Sequence, residues 1–434
     1  MQPQPSLPVT RLVGRRIAAT STPAKLSLLR AALIVLAVVF AVGGAFGVNR
    51  RANAINDVRT ASGQLLALQD IRVRIVHADA IASSSYLVGG QEDPEQRTAY
   101  LDEIATAGDG LVAVSGAATD ADLEQLSEAS RLLGGYVGLV EQARANNRQG
   151  FPVGATYQRQ ANGVVSNDDP DAPDIVSSLR AVEASQRTQI NASLATAHRA
   201  GAWLHGFGWL LMLTLVLASW WMSRAFRRVV NVPIAVATLV LLLVLVIGGT
   251  RQAGSVSDAD SAVGNQLASA DNAAQARAAA FEARSQEALT LINRGNGAAN
   301  ETNWQIGNDI VLQGFDRGLG SDVDLSNSAA ASYANYSDAH SSIRVLDVEG
   351  NWDEAVAVSL GEQQTSSGID AVRAFDEFVQ RVGEISTAEG VRASQLLSDA
   401  IGPLNGLRNV VFLAGLAFAV LAALGCGQRL KEYR

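Results

Sequence analysis

Four stretches of the chain are apolar without interruption: residues 31–48, 201–223, 233–250 and 409–427 contain no Asp, Glu, Lys or Arg. Each approaches or reaches the roughly 20 residues with which an α-helix crosses the hydrocarbon core of a bilayer. A soluble alternative would have to bury four such helices on every side, which the amphipathic pattern of soluble helices argues against. A cleaved signal ending at Ala45, Phe46 and Gly47 is a second alternative for the first run. That run is longer than a signal core and follows a thirty-residue leader, so a retained span is expected.

Between the runs the pattern turns helical and polar. In the first segment a helix is expected over 51–88, stopped by Gly89 and Gly90. Asp93 is placed to cap a second helix, with Pro94 at its first position and Gln96 at its third in a reciprocal arrangement. "GAATDAD", with Thr119 and Asp122 three apart, opens a third helix ending near Asn147. A fourth follows "RQGFPVG", is interrupted by "SNDDPDAPD" and resumes over 175–199. The second segment repeats the plan with breaks at "NRGNG", "GFDRGLGSDVD" and "DVEGN". Strand-forming runs are nearly absent. The expected fold class is therefore all-α: four transmembrane helices carrying two extracytoplasmic up-down four-helix bundles, each continuous with its flanking spans.

The two polar segments have nearly equal length, and short stretches correspond. "SYLVGGQEDPEQ" is matched by "LTLINRGNGAANE", and "QGFPVGATYQRQ" by "EGNWDEAVAVSL". This suggests a tandem duplication. The expected organisation is a basic leader (1–30), a first span (31–48), bundle 1 (49–200), a second span (201–223), a hairpin (224–232), a third span (233–250), bundle 2 (251–403), a fourth span (404–427) and a tail (428–434).

Charge sets the orientation. Both lysines, Lys25 and Lys431, lie in the leader and the tail, and the hairpin "SWWMSRAFRRVVNVP" carries Arg224, Arg227 and Arg228 without an acid. Every Asp and Glu except Glu432 falls in the two bundles. Excess Lys and Arg near span ends marks the cytoplasmic side. Both termini and the hairpin are thus expected inside a plasma membrane, with two acidic bundles outside. None of the inner pieces is long enough to bury a core, so an output domain is not expected among them. The hairpin arginines read as topology determinants and lipid-phosphate contacts, or else as a cytoplasmic relay surface.

Candidate chemistry is sparse. Neither bundle contains cysteine, and Cys426 reads as a small packing residue. His77, His198, His205 and His340 lack ligand spacing. The acidic run at 167–174 contains two prolines and no central glycine, so it reads as a solvated loop and not a calcium site. No nucleophile with its base and no phosphate-cradling loop is present, so no enzyme, no cofactor and no nucleic-acid partner is expected. A transport path would place ionisable groups within the spans, and these lack acids and lysines. Instead Ala37, Ala41 and Ala45 form a small-residue stripe on the first span, and Gly415, Ala419, Ala423 and Gly427 form one on the fourth. These stripes fit pairing of those spans or a homodimer. Gly201, Gly206, Gly402, Pro403 and Gly406 mark bends or hinges where bundle meets membrane.

Paired four-helix bundles on a membrane hairpin resemble the ligand-sensing domains of bacterial chemoreceptors. The layout as a whole, with its "AFRRVVNVP" hairpin and short tail, resembles more closely the GlnX-like four-span membrane sensors of mycobacteria and related actinobacteria. That resemblance implies partners: a glutamate/aspartate-binding lipoprotein outside and the soluble Ser/Thr protein kinase G inside. It also implies a function, the relay of an extracellular amino-acid signal to the kinase.

Aligning the two first helices on their breaks sets Arg72 opposite Arg277, and Asp79 opposite Arg284. Leu267, Ala270, Ala274, Phe281 and Ala288 form the inward stripe, with Arg277 and Arg284 on it or at its edge. An inward arginine needs a counter-charge. A ligand carboxylate would serve, so Arg72, Arg277 and Arg284 are candidate ligand-binding residues. An internal acid such as Glu183 or Glu384 would serve equally. For a docking protein the bundle tips are the natural surface, with Phe151, Trp352, Asp353 and Arg294 as candidate contacts. Three functions remain open at this point. They are a sensor acting through separate partners, a direct small-molecule sensor, and a structural or transport-accessory protein.

Overall fold

The computed structural model describes residues 22–431 apart from 90–91, 168, 170 and 227–230. Among the described residues every regular element is helical: α1 (Thr22–Val88), α2 (Pro94–Ser115), α3 (Asp120–Arg148), α4 (Val153–Val165), α5 (Ile175–Phe226), α6 (Val232–Ser261), α7 (Ala268–Ile292), α8 (Ala298–Arg317), α9 (Val323–Val348), α10 (Trp352–Ser359) and α11 (Ala371–Lys431). A π-helical segment, Ala262–Leu267, joins α6 to α7. Four of the helices are long and apolar enough to cross a membrane. The chain is therefore an all-α, four-span protein.

Local chemistry explains the breaks. Asp93 accepts from the Glu95 amide at 2.9 Å and Pro94 opens α2. The expected reciprocal bond from Gln96 does not form, because Gln96 Oε1 accepts from Ser85 Oγ of α1 at 2.8 Å. Thr119 caps α3, accepting from the Asp122 amide and donating to Asp122 Oδ2 at 2.9 Å. Asp322 caps α9, and Asp174 and Asp370 cap α5 and α11. The turns after α3 and α9 pass through Gly150 (φ 71°) and Gly350 (φ 84°), a left-handed conformation that costs glycine little.

The helices fall into two units. Among the described residues, one comprises the apolar spans within 22–49, 201–250 and 406–431. Its small residues bring helices close. A Cβ on Gly415 would fall within 2.9 Å of Ala41 backbone atoms, so the stripes of the first and fourth spans meet within one chain. Phe40 and Phe418 pack beside them with ring centroids 6.0 Å apart. Asn231 Nδ2 donates to the Gly425 carbonyl at 3.0 Å. Large apolar side chains such as Val35, Leu213, Leu243 and Leu413 remain exposed, the surface a span turns to lipid.

The other unit comprises Arg50–Ala200 and Arg251–Asn405. Both polar segments share its core, in which Ile71, Ile75, Tyr100, Tyr136 and Val182 join Phe281, Trp304, Tyr336, Phe375 and Phe378. The inward stripe read from sequence (Leu267, Ala270, Ala274, Phe281, Ala288) is buried throughout. The alanine-rich face of α7, with Ala276, Ala279, Ala280 and Ala283 buried, lets neighbouring helices approach closely.

Candidate functional site

The seam between the two segments is built by α1 and the helix formed by α7. Gln69 Nε2 donates to Asp271, Ser83 Oγ lies 3.1 Å from Ser285 Oγ, and the His77 ring stacks on Phe281 at 4.2 Å. The partners rise together along both helices, so the two run side by side in one direction. α5 flanks the seam on one side and α11 on the other.

On the α5 flank the charges close on themselves. Arg72 Nε bonds Glu183 Oε1 at 2.9 Å, with both side chains buried. Arg187 bridges Glu183 at 3.3 Å and Asp271 at 2.6 Å. The internal counter-charge considered from sequence is thus found at Arg72, in Glu183.

The α11 flank differs residue by residue. Setting the capping residues Asp174 and Asp370 in register places Gly383 where Arg187 stands and Val379 where Glu183 stands. Setting Arg72 opposite Arg277 likewise places Leu66 where Asp271 stands. The bridging arginine and both carboxylates are absent from this side, and a groove of about 390 Å³ opens. Its wall carries Arg277, Asp70, Gln69, Ser386, Thr387 and Ser394.

Arg277 has no carboxylate within ion-pair distance among the described residues, and its Nε is buried without an acceptor. The guanidinium lies 5.8 Å from the Phe281 ring centroid. Burial lowers its pKa, while the more distant charges of Asp70 and Glu103 support it. It stays protonated, as guanidinium does in proteins. Asp70 is held by Arg74 at 2.7 Å, and Glu103 by Arg74 and His77 at 3.0 Å each. Glu384, the other internal acid considered from sequence, instead accepts from Gln380 at 3.0 Å. The groove therefore presents an underused cation, a nearby acid and several hydroxyls. That set suits a ligand carrying a carboxylate.

Arg284 is placed in a buried network of the second segment. It pairs with Glu287 at 2.5 Å, donates to the Ser359 carbonyl and lies 5.8 Å from the Tyr336 ring centroid. Glu287 also meets His340 Nδ1 at 2.7 Å, and His340 Nε2 reaches Glu301 at 3.3 Å. Arg344 pairs with the same Glu301 at 2.9 Å. Burial opposes a charge on His340, but hydrogen bonds to Glu287 and Glu301 outweigh it and raise the imidazole pKa. Arg284 first, then His340 and the Ser359 hydroxyl, offset burial and hold Glu287 below the ordinary range. His340 stacks flat on Trp304 at 3.6 Å. Sequence spacing gave no signal for this histidine, because its partners come from two other helices, α7 and α8.

At the tip Phe151 is 51% exposed, beside exposed Val153. Trp352 is only partly exposed: its indole donates to the Leu291 carbonyl at 2.8 Å, and Arg294 covers its ring at 4.0 Å. Asp353 is exposed. In the hairpin Arg224 lies 5.3 Å from the Trp220 ring centroid, whereas Arg227 and Arg228 fall outside the described residues.

Residues 54–195 match the family model of an actinobacterial sensor domain. The matched region holds Arg72 and the closed flank, whereas Arg277 lies beyond it. No curated protein and no solved structure matches the chain. The sensor-domain match and the four apolar helices together support a membrane sensor, and no catalytic family is indicated.

Proposed function

We propose that the chain is a plasma-membrane sensor of extracellular amino acids whose α11-flank groove receives a ligand carboxylate on Arg277. The termini and hairpin face the cytoplasm, and residues 49–200 and 251–403 lie outside. The observation that carries this reading is the buried, acceptor-free Nε of Arg277 in an open groove, opposite an arginine that is fully neutralised. A carboxylate entering the groove would complete the ion pair that Glu183 provides at Arg72. Glutamate and aspartate, the ligands implied by the family resemblance, carry that group and an ammonium suited to Asp70.

The test is calorimetric titration of the purified full-length protein with glutamate and with aspartate. Binding weakened about 10- to 100-fold by Arg277→Ala supports the reading, in line with the cost of losing a charge-assisted bidentate contact. Heats equal to buffer dilution for both amino acids refute it.

A second reading, delivery of the signal by a binding lipoprotein, is favoured by the exposed apolar pair Phe151 and Val153 at the tip. Asp353 and Arg294 would supply the polar rim there. Phe151→Asp should abolish co-purification of the lipoprotein from native membranes, and unchanged recovery counts against it. The output is a cytoplasmic Ser/Thr protein kinase, contacted through the hairpin containing Arg224, Arg227 and Arg228. Kinase-dependent phosphorylation that ignores amino-acid shifts equally with and without this protein would remove that step.

A further inference from the structure

A second polar pocket, of about 200 Å³, lies at the seam between α1, α4 and α5 of one segment and α7 and α8 of the other. Its lining includes Asp79, Asn162, Arg180, Glu282 and Gln286. Asp79 is 2% exposed, and its Oδ2 accepts from Ser285 Oγ at 2.5 Å and from Asn162 Nδ2 at 2.7 Å. Asn162 is held in that orientation by Gln286, whose Nε2 donates to Asn162 Oδ1 at 3.0 Å. Gln286 is fixed in turn by Asn300, whose Nδ2 donates to Gln286 Oε1 at 2.7 Å. The amides thus form a relay that keeps the pocket's polar groups in place.

Among the described residues the pocket holds two carboxylates against one cation. Arg180 approaches Glu282 only to 3.6 Å and is itself half-exposed. It stands at the rim, and no described cation sits between the two acids. Val76 and Ile310 supply apolar wall. A preformed pocket with excess negative charge, fixed amides and short aliphatic walls has the chemistry of an ammonium receptor. Its volume of about 200 Å³ suits a small ligand. Two carboxylates fall short of the oxygen set that a divalent cation takes.

We propose that this pocket binds a small organic ammonium group, with its –NH3+ between Asp79 and Glu282 and its short carbon chain against Val76 and Ile310. The state of the acids is consistent with this. Burial raises both pKa values, Glu282 raises that of Asp79 further, and the hydrogen bonds from Ser285, Asn162 and Tyr136 oppose the rise at Asp79. Arg180 and Arg72 lower that of Glu282, and Asp174 raises it. A bound ammonium would favour the ionised form of both carboxylates. The proposal stands independently of the Arg277 groove, since the two sites share no lining residue.

The experiment is calorimetric titration of the full-length protein with ethylammonium chloride, glycine and sodium chloride. Saturable binding of ethylammonium is expected, weakened at least tenfold by Glu282→Gln and by Asp79→Asn. Should Asp79→Asn fail to fold, Glu282→Gln carries the test alone. Glycine binding more tightly than ethylammonium would assign the ammonium to an amino acid whose carboxylate sits on Arg180. Ethylammonium binding more tightly would assign it to a simple amine. Absence of ethylammonium binding, affinity unchanged in Glu282→Gln, or sodium binding as tightly as ethylammonium would overturn the proposal.

Discussion

The two flanks of the seam are built from matched helices and reach opposite electrostatic outcomes. On the α5 flank Arg72, Glu183, Arg187 and Asp271 neutralise one another in a chain of contacts from 2.6 to 3.3 Å. On the α11 flank Gly383, Val379 and Leu66 occupy the matched positions, and Arg277 is left facing a groove. One flank is completed by the protein's own side chains, and the other is an incomplete version of it. A buried guanidinium retained without its acid is an expensive arrangement unless something else supplies the charge. The difference marks where a ligand would contribute most.

The sharpest break of this comparison is Glu183→Ala. It leaves Arg72 buried and uncompensated, and a destabilisation of about 3–5 kcal/mol is expected. The same truncation on the other side, Val379→Ala, removes only apolar contact from a residue 9% exposed and should cost about 1–2 kcal/mol. Thermal or denaturant unfolding in one detergent compares the pair directly. Equal losses would mean that the Arg72 pair does not differ in kind from ordinary packing.

Gly383→Arg tests the comparison from the open side, by supplying the residue type that fills the closed flank. Its Cβ would meet the Arg277 guanidinium at 3.2 Å, so that side chain must shift. Glutamate affinity should fall at least tenfold, read by calorimetry, while the fold persists by circular dichroism. Retained affinity would show that the groove is not the site.

A smaller effect separates the two segments by pH. His340, which meets Glu287 and Glu301 and stacks on Trp304, has its pKa raised in the fold. Its contribution to stability is fully present below the ordinary histidine value of about 6.5 and is lost as pH rises through the raised folded value. The wild-type thermal midpoint should fall over that range, and His340→Gln should flatten the dependence. A parallel pH profile in the variant would contradict the assignment.

The smallest expected difference lies at the matched turns. Gly150→Ala and Gly350→Ala each place a side chain at positive φ (71° and 84°) with open space around the Cβ. Each should cost about 1–2 kcal/mol, and the two costs should agree closely in denaturant unfolding. A marked inequality would show that the turns are not mechanically equivalent.

Features decided by neighbours in sequence were legible in advance. The four apolar runs, the caps at Asp93 and Thr119, the breaks near Gly89, Gly150 and Gly350, and the inward stripe through Phe281 all follow from local chemistry. What the stripes face does not. Arg72 meets Glu183 from 111 residues away, and Ser83 meets Ser285 from 202. Periodicity identifies a buried face without identifying its partner, so a single core shared by both segments was not visible. The same limit applied to the arginines. Three read alike in sequence, yet Arg72 is paired, Arg284 belongs to a buried network and Arg277 faces a groove. Gln96 shows the limit within one motif, since Ser85 of a neighbouring helix captured the side chain that the reciprocal cap required.

One flank is closed and the other open, so the most direct test counts binding sites per chain. Calorimetric titration of the full-length protein with glutamate should give one site, lost in Arg277→Ala. Two sites per chain, or a single site untouched by Arg277→Ala, would contradict it.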